Sequence, residues 1–543
     1  MDFSLMFGKT FVNAYFCTKE RTRLVMERKR LKYPIGVQDF EDLRRNGYVY
    51  VDKTRKIYEI ATKGKCYFLG RPRRFGKSLL LSTFEAYFLG KKALFQGLAI
   101  ENLENEWAEY PVLHLDLNLG KYDNEAALDE VLNKMLNAWE KIYSKSDDEI
   151  TPGMRFYGVI QRAFEQTGKQ VVILVDEYDK PLLNTFDNPE LQDKYRSLLK
   201  SFYSVLKTQD RYIRFALLTG VTKFGKVSVF SDLNNLDDIS MDERYADICG
   251  ITEHELHIYF DDAIEQLAEK NGISFDEACG QLKNQYDGYH FCVDCAGTYN
   301  PFSLLNALNK GRIADYWFET GTPTFLVQLL KDCDYNLNKL QNGEAEAAEL
   351  SGVNAFAGNP IPMIYQSGYL TIKGYDKRFE QYLLGFPNKE VENGFVRQLL
   401  PMYANNRKSN TSFEVKRFIA DVESGDPESF MTRLQTFFED ADYRISGKKE
   451  IYFQNVMFIV FKIMGFYTEV ERATSRGRID VVIKTRDYIY IIECKLDGSA
   501  DDALRQIEER GYWKPYVLDP RKIFKIGVNF SSEIRGIKDW KVK

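Results

Sequence analysis

The chain is 543 residues long, and with 44% hydrophobic and 28% charged residues it is an ordinary globular protein. It is long enough for several domains, since single cores stop growing near ~250–300 residues. Its net charge of −5 excludes a protein that coats nucleic acid along its whole length, and no apolar run approaches the ~18 residues of a membrane-spanning helix.

Eight scattered cysteines form no disulfide framework and suit a reducing cytoplasm. The start, Met1-Asp-Phe-Ser-Leu-Met6, lacks the basic beginning and long apolar centre of a secretory signal. Residues 1–30 read as an extension, with Met26 as an alternative start. Further on, Tyr48-Val-Tyr-Val51 followed by Asp52-Lys-Thr54 reads as a short strand leading into a capped helix.

The apolar run Cys66-Tyr-Phe-Leu69 then meets Gly70-Arg-Pro-Arg-Arg-Phe-Gly-Lys-Ser78. After it, Leu79 to Leu89 is apolar at helical spacing and is closed by Gly90. A strand, a glycine-containing turn and Gly-Lys-Ser opening a helix is the context of a phosphate-binding loop. Backbone N–H groups at the helix N-terminus point at the phosphates. Lys77 is expected to reach the β- and γ-phosphates, and the Ser78 hydroxyl to sit on Mg²⁺. One position departs from G-x-x-x-x-G-K-[ST]: Arg71 stands at the first glycine, and Gly70 lies one residue early. The loop is therefore either one residue longer or begins without a glycine turn.

Pro111-Val-Leu-His-Leu-Asp-Leu117 reads as a second core strand, and residues 124–143 carry apolar positions at helical spacing. Gln170-Val-Val-Ile-Leu-Val175 is a continuous apolar run, the mark of a strand buried on both faces of a parallel sheet. Asp176 and Glu177 follow it, at the carboxyl end where open α/β sheets bind ligands. Asp176 is expected to hold Mg²⁺ through water, and Glu177 to polarise the attacking water. A helix near 190–208 and a strand Tyr212 to Thr219 complete an alternation that indicates a doubly wound parallel sheet. Order along the chain puts Thr219 beside the site, as a residue sensing the γ-phosphate. Arg73, Arg74 and Arg214 are the candidates for an arginine finger.

Residues 251–335 look helical, with Thr252-Glu-His-Glu255 resembling a capping box. Cys292-x-x-Cys295 with His290 nearby invites a zinc reading, but a structural zinc site needs four ligands and no second C-x-x-C exists. A loop is preferred. Residues 361–386 read as a helix, Gly368 and two strands around a polar turn, which suits a winged helix that either touches DNA or packs. The polar stretch 404–412 reads as an exposed linker.

The last hundred residues carry a separate chemistry. A helix from Ile451 to Met464 ends at Gly465, and Asp480 opens the strand Val481-Val-Ile-Lys484. A turn at Thr485-Arg-Asp487 leads into Tyr488-Ile-Tyr-Ile-Ile-Glu-Cys-Lys495. The hairpin places Asp480 beside Glu493 and Lys495, which are two apart and so share a face. Asp480 and Glu493 are expected to share a divalent cation, with the Cys494 carbonyl as a further ligand. Lys495 would orient water and offset charge in a phosphoryl transition state. The alternative is a solvent-exposed Asp, Glu and Lys on an edge hairpin. The Asp480, Glu493 and Lys495 pattern resembles that of metal-dependent nucleases, and on the next helix, Asp501 to Arg510, Gln506 matches an auxiliary position of such nucleases. Their Q-x-x-x-Y spacing is absent, since Arg510 stands at i+4 and Tyr512 two residues later. From Ala503 to the end, ten Lys/Arg face five Asp/Glu, a locally basic stretch.

Pro34-Ile-Gly36, Tyr50-Val-Asp-Lys-Thr54, Arg71 to Ser78, Asp176-Glu-Tyr-Asp179, Tyr299-Asn-Pro-Phe302, Gly477-Arg-Ile-Asp480 and Glu493-Cys-Lys495 together resemble a bacterial family. Its members join an AAA-ATPase-like domain to a C-terminal PD-(D/E)xK nuclease-superfamily domain. The family uses this Arg-Pro-Arg-Arg-Phe form of the loop. The resemblance implies an α/β multidomain chain divided at 1–30 (extension), 31–250 (P-loop ATPase), 251–335 (helical lid), 336–445 (winged-helix-like and helical linker) and 446–543 (restriction-endonuclease-like nuclease). It implies ATP and Mg²⁺ as cofactors, DNA or RNA as partner, no membrane, and room for a homo-oligomer. Gly70, Arg73, Arg74, Gly76, Lys77, Ser78, Asp176 and Thr219 are assigned to the nucleotide and Glu177, Asp480, Glu493, Lys495 and Gln506 to catalysis. Ser78, Asp176, Asp480 and Glu493 are the metal ligands of this reading. The expected function is an ATPase that regulates a nuclease. The alternative is a nucleotide-switched regulator whose C-terminal domain binds nucleic acid or protein without cutting.

Overall fold

The computed structural model describes residues 32–223, 235–318, 358–403, 411–439, 449–465, 469–475, 478–534 and 536–543, with parts of 326–352. At 338, 400–403, 411–415, 439, 449–454, 469–475 and 478–480 it describes the backbone alone. The N-terminal extension with Met26, residues 404–410, and Arg476-Gly477 lie outside these residues.

Helices α1 (Phe40–Arg45) and α2 (Thr54–Lys63) precede the first sheet. The strand expected at 48–51 is absent. Tyr48 makes a single bridge to Lys32, and the segment packs by its side chains, Tyr50 lying edge-on to Phe40 at 5.1 Å. The helix start is as expected: Asp52 Oδ1 accepts from the Thr54 N–H (2.8 Å) and its hydroxyl (2.6 Å). The other oxygen of Asp52 accepts from the N–H of Ala99 at 2.7 Å.

The main sheet comprises β1 (Cys66–Gly70), β2 (Val112–Asp116), β3 (Val171–Asp176), β4 (Ile213–Gly220) and β5 (Asp237–Asp238). The strands run parallel in the order β2-β3-β4-β1-β5. Helix α3 (Lys77–Phe88) follows β1, α4 (Ala127–Tyr143) and α5 (Pro152–Thr167) join β2 to β3, and α6 (Pro189–Thr208) joins β3 to β4. β3 is buried along its whole length, as its unbroken apolar sequence requires. Phe84 of α3 stacks on Phe215 of β4 at 5.1 Å, fixing the loop helix to the sheet. Because the strands are parallel, Gly70, Asp116, Asp176 and Thr219 all emerge at one edge. Arg214 stands at the start of β4, at the opposite edge and beside Tyr110, away from this chain's own cleft.

A two-stranded clip, β6 (Ile251–Thr252) with β7 (Thr298–Tyr299), ties together α7 (Glu253–Asn271), α8 (Phe275–Tyr286) and α9 (Pro301–Lys310). The capping box at Thr252 and Glu255 forms as expected. Cys292 and Cys295 pair with each other, with Cα atoms 5.4 Å apart, and His290 Nδ1 lies 2.9 Å from the Cys295 carbonyl oxygen. Among the described residues no group of three His, Cys, Asp or Glu is placed to hold a metal ion.

Next, β8 (Gly343–Glu346), β9 (Thr371–Asp376) and β10 (Gln381–Gly385) form an antiparallel sheet ordered β8-β10-β9, preceded at the hairpin by α10 (Ile361–Gln366). This is the arrangement of a winged helix. Ile361, Met363 and Ile364 of α10 are buried, and Gln366 Oε1 accepts from the Lys223 N–H at 2.8 Å.

Helices α11 (Lys389–Tyr403), α12 (Thr411–Ser424), α13 (Pro427–Glu439) and α14 (Lys449–Met464) lead to the last sheet. Helix α12 begins inside the stretch expected to be a linker. The sheet runs β11 (Glu469–Ser475), β12 (Arg478–Lys484), β13 (Tyr488–Leu496), β14 (Lys522–Ser531) and β15 (Gly536–Val542), in that order. Only β13 and β14 are parallel, and α15 (Ala500–Arg510) makes the crossover. The strand period of two divides β13. Ile489 and Ile491 join Ile507 of α15, while the Tyr490 hydroxyl donates to the Val422 carbonyl of α12 at 2.7 Å. Phe438 of α13 meets Phe530 of β14 at 5.2 Å, so α12 and α13 cover the second face. No helix of the described residues is long and apolar enough to cross a membrane.

Candidate functional site

A cleft of about 500 Å³ opens at the carboxyl edge of the main sheet, lined by Arg73, Arg74, Gly76, Lys77, Ser78 and Glu177. The residue types set the loop. Arg74 (φ 70) and Gly76 (φ 91) occupy the left-handed region, and the helix starts at Lys77. At Arg71 the chain still runs with the sheet, its N–H donating to the Gly220 carbonyl at 3.1 Å. The missing first glycine has a structural reason. Arg71 turns inward, is 1% exposed, and donates to the carbonyls of Gly70 (2.9 Å), Ser240 (2.7 Å) and Tyr245 (3.1 Å). Gly70 ends β1 and pairs with Gly220, and neither it nor Thr219 lines the cleft.

Lys77 is 4% exposed, and its Nζ lies 3.1 Å from the Arg71 carbonyl and 3.4 Å from Glu177 Oε1. Burial by itself would raise the Glu177 pKa, but the charges of Lys77 and Arg73 more than offset it and hold the carboxyl below its ordinary value. Glu177 has φ 52, a left-handed backbone that a non-glycine residue keeps only when its surroundings impose it. Asp176 lies one layer deeper, where Oδ1 accepts from the Thr219 hydroxyl (2.8 Å) and the Glu177 N–H (3.0 Å). β4 lies between β1 and β3, which puts Thr219 next to Asp176 rather than on the open cleft.

Sequence reasoning gave no site role to several neighbours. Pro34, Gly36, Asn118 and Lys180 line the same cleft, and an apolar hollow of about 100 Å³ adjoins it, sharing Pro34, Gly76, Leu79 and Pro301. Pro34-Ile-Gly36 was visible as a signature lying in no helix or strand, and that is the signal for a site role. Asp179, last of Asp-Glu-Tyr-Asp, is wholly buried and accepts from the N–H groups of Val221 (3.0 Å) and Thr222 (2.6 Å). Burial, joined by the charge of Glu177, pushes its pKa up to about 6. A side chain on Gly220 would meet Asp179 Oδ1 at 2.6 Å, so the strand end and this acid fit only with glycine there.

The second site lies on β12, β13 and α15. Asp480 and Glu493 are direct partners across the hairpin; the side chain of Asp480 lies outside what the structure describes. Glu493 is fully buried, its Oε1 lying 3.2 Å from Lys495 Nζ. Its Oε2 is buried and has no hydrogen-bond partner among the described residues. Lys495 also donates to Gln506 Oε1, and Gln506 Nε2 lies 3.5 Å from the Tyr512 hydroxyl. Tyr512 thus stands next to Gln506 from beyond the helix end, where the sequence spacing had no tyrosine. A buried carboxylate oxygen with no donor is expensive unless a cation meets it. Glu493 Oε2 is thus an oxygen that a divalent cation would satisfy.

Residues 34–230 match the model of the family described as predicted AAA-ATPase, and residues 448–540 that of the PD-(D/E)XK nuclease superfamily. The chain is 35% identical over 522 residues to a protein of Azotobacter chroococcum mcd 1 named "Uncharacterized protein in vnfD 5'region". That similarity covers 94% of this chain and 98% of the relative. Two sites on two sheets, each in the residues that one family model matches, give the same assignment: this chain belongs to the family that joins a predicted AAA-ATPase domain to a C-terminal PD-(D/E)XK nuclease-superfamily domain.

Proposed function

We propose that the chain binds and hydrolyses ATP in the cleft over β1 and β3, and that this turnover regulates a Mg²⁺-dependent nuclease acting on DNA or RNA in the bacterial cytoplasm. The observation that carries the reading is the orphaned Oε2 of Glu493, buried beside Lys495 and opposite Asp480. The cation lining of the ATP cleft supports its first half.

Triphosphate oxygens would replace Glu177 as the partner of Lys77, and the α3 N-terminus and Gly76 would receive them. Glu177, released, polarises the attacking water, with Thr219 holding Asp176 in place. The apolar hollow beside Pro34 and Leu79 takes the base. Ser78 and Asp176 would hold Mg²⁺ at this site, and Asp480 and Glu493 at the other. When bound, the ion neutralises phosphate charge and lowers the pKa of water. Lys495, fixed between Glu493 and Gln506, orients the attacking water and offsets charge on the scissile phosphate.

A panel of single- and double-stranded DNA and RNA, with Mg²⁺ and with or without ATP, tests this. Lys77→Ala should abolish ATP turnover, and Asp480→Ala should abolish cleavage while ATP turnover continues. Wild-type protein that leaves every substrate uncut would overturn the nuclease half. The regulator alternative then stands, and Mn²⁺ binding that is insensitive to Asp480→Ala would favour it.

A further inference from the structure

A second cavity, of about 240 Å³, lies behind the phosphate loop and shares no lining residue with the nucleotide cleft. Three parts of the chain enclose it. The sheet contributes Phe68 and Asp238, the 289–291 loop contributes Tyr289 and Phe291, and the winged module contributes Tyr365 and Tyr382. It exceeds the ~150 Å³ that takes one benzene and falls below the ~300 Å³ of drug-sized sites, which suits one or two rings.

Most polar groups around it are already partnered. Ser240 Oγ accepts from the Gly70 N–H at 2.8 Å, Gln366 Nε2 donates to the Leu350 carbonyl at 2.7 Å, and Lys223 Nζ pairs with Asp238 Oδ2 at 2.5 Å. The Tyr289 hydroxyl is buried with no partner among the described residues, and Arg71 is the second exception. Its guanidinium is buried, lies 4.0 Å over the Phe291 ring, and bonds only carbonyl oxygens. Its Nε has no partner, and no carboxylate of the described residues pairs with it. Its four terminal N–H groups are taken by carbonyl oxygens, so an anion would meet its uncompensated charge rather than a two-pronged hydrogen bond; a buried cation without a counter-ion is costly.

We propose that this cavity binds a small aromatic carboxylate, its ring among Phe291, Tyr365 and Tyr382 and its anionic group toward Arg71. Lys223 at the rim is already paired with Asp238, so Arg71 supplies the unneutralised charge. Arg71 opens the phosphate loop, and Pro72 abuts Gly368, where an added Cβ would come within 2.6 Å of the proline. A ligand that draws Arg71 toward it moves the start of the loop, and by linkage the ligand and the nucleotide then change each other's affinity by the same factor.

The test is calorimetry on the full chain with benzoate and indole-3-acetate, against benzamide and indole-3-acetamide as neutral controls. The acids should bind at least ~10-fold more tightly than their amides. Arg71→Gln should weaken the acids ~10-fold or more. Ala347→Trp, which blocks the mouth without touching the clamp, should remove binding even if the Arg71 variant does not fold. An acid and amide that bind equally, binding that survives Ala347→Trp, or no heat with either acid would overturn the proposal. Saturating acid should shift the Kd of ADP about five-fold or more. An unchanged Kd would overturn the coupling, and this readout is independent of whether the chain cleaves either ATP or nucleic acid.

Discussion

Glu390, in the first turn of α11, is fully buried and accepts from the Trp317 N–H (2.7 Å) and the Ser303 hydroxyl (3.0 Å). Burial pushes its pKa up to about 7, and its Oε2 has no partner. The unfolded carboxyl titrates near 4.5, so the folded state holds the proton more tightly. Stability from this group is complete below that value and is lost as pH rises through about 7. Glu390→Gln keeps an acceptor and removes the charge. It should raise the stability at pH 8 by on the order of 3 kcal/mol, with the two proteins converging toward pH 4.5. Thermal midpoints across that range decide it; a constant offset would sink the account. At this scale the sequence was legible where neighbours in the chain make the site, as with Lys77, Ser78, Asp176 and Glu177. It was silent where partners lie far apart. Nothing local says that Arg71 will turn inward, because its partners Ser240 and Tyr245 come about 170 positions later.

The same division holds for whole elements. β3, the hairpin β12–β13 and α14 could be read because apolar runs and a tight turn fix them locally. The extended run at 48–51 has strand-forming residues, yet only Tyr48 pairs, because pairing depends on a neighbour that no propensity supplies. α15 shows how an element positions chemistry. Its close approach to β14 depends on Gly527, the register partner of Glu493, where an added Cβ would stand 2.3 Å from the Ala500 carbonyl oxygen and 2.9 Å from the Leu504 nitrogen. Both are backbone atoms, so the helix must move. Gly527→Ala should carry Gln506 away from Lys495 and lower cleavage by about 100-fold, the usual cost of a displacement near 1 Å. ATP turnover should be unaffected. Full cleavage by this variant would show that α15 has no part in holding Lys495.

Across the whole molecule, one chain of contacts runs from the phosphate loop to the last sheet. Trp317 Nε1 donates to the Arg73 carbonyl at 3.2 Å, and its backbone N–H donates to Glu390. Two residues on, Glu392 of α11 pairs with Lys462 of α14, the helix that leads into β11. A rearrangement of Arg73 on nucleotide binding can therefore reach the last sheet through side chains in contact. Lys462→Met tests it: the half-buried stem keeps its packing and the ion pair is lost. ATP turnover alone and cleavage without ATP should each remain within about two-fold of wild type. The factor by which ATP changes the cleavage rate should fall toward one. If ATP still changes cleavage as it does in the wild type, regulation does not pass through α11 and α14.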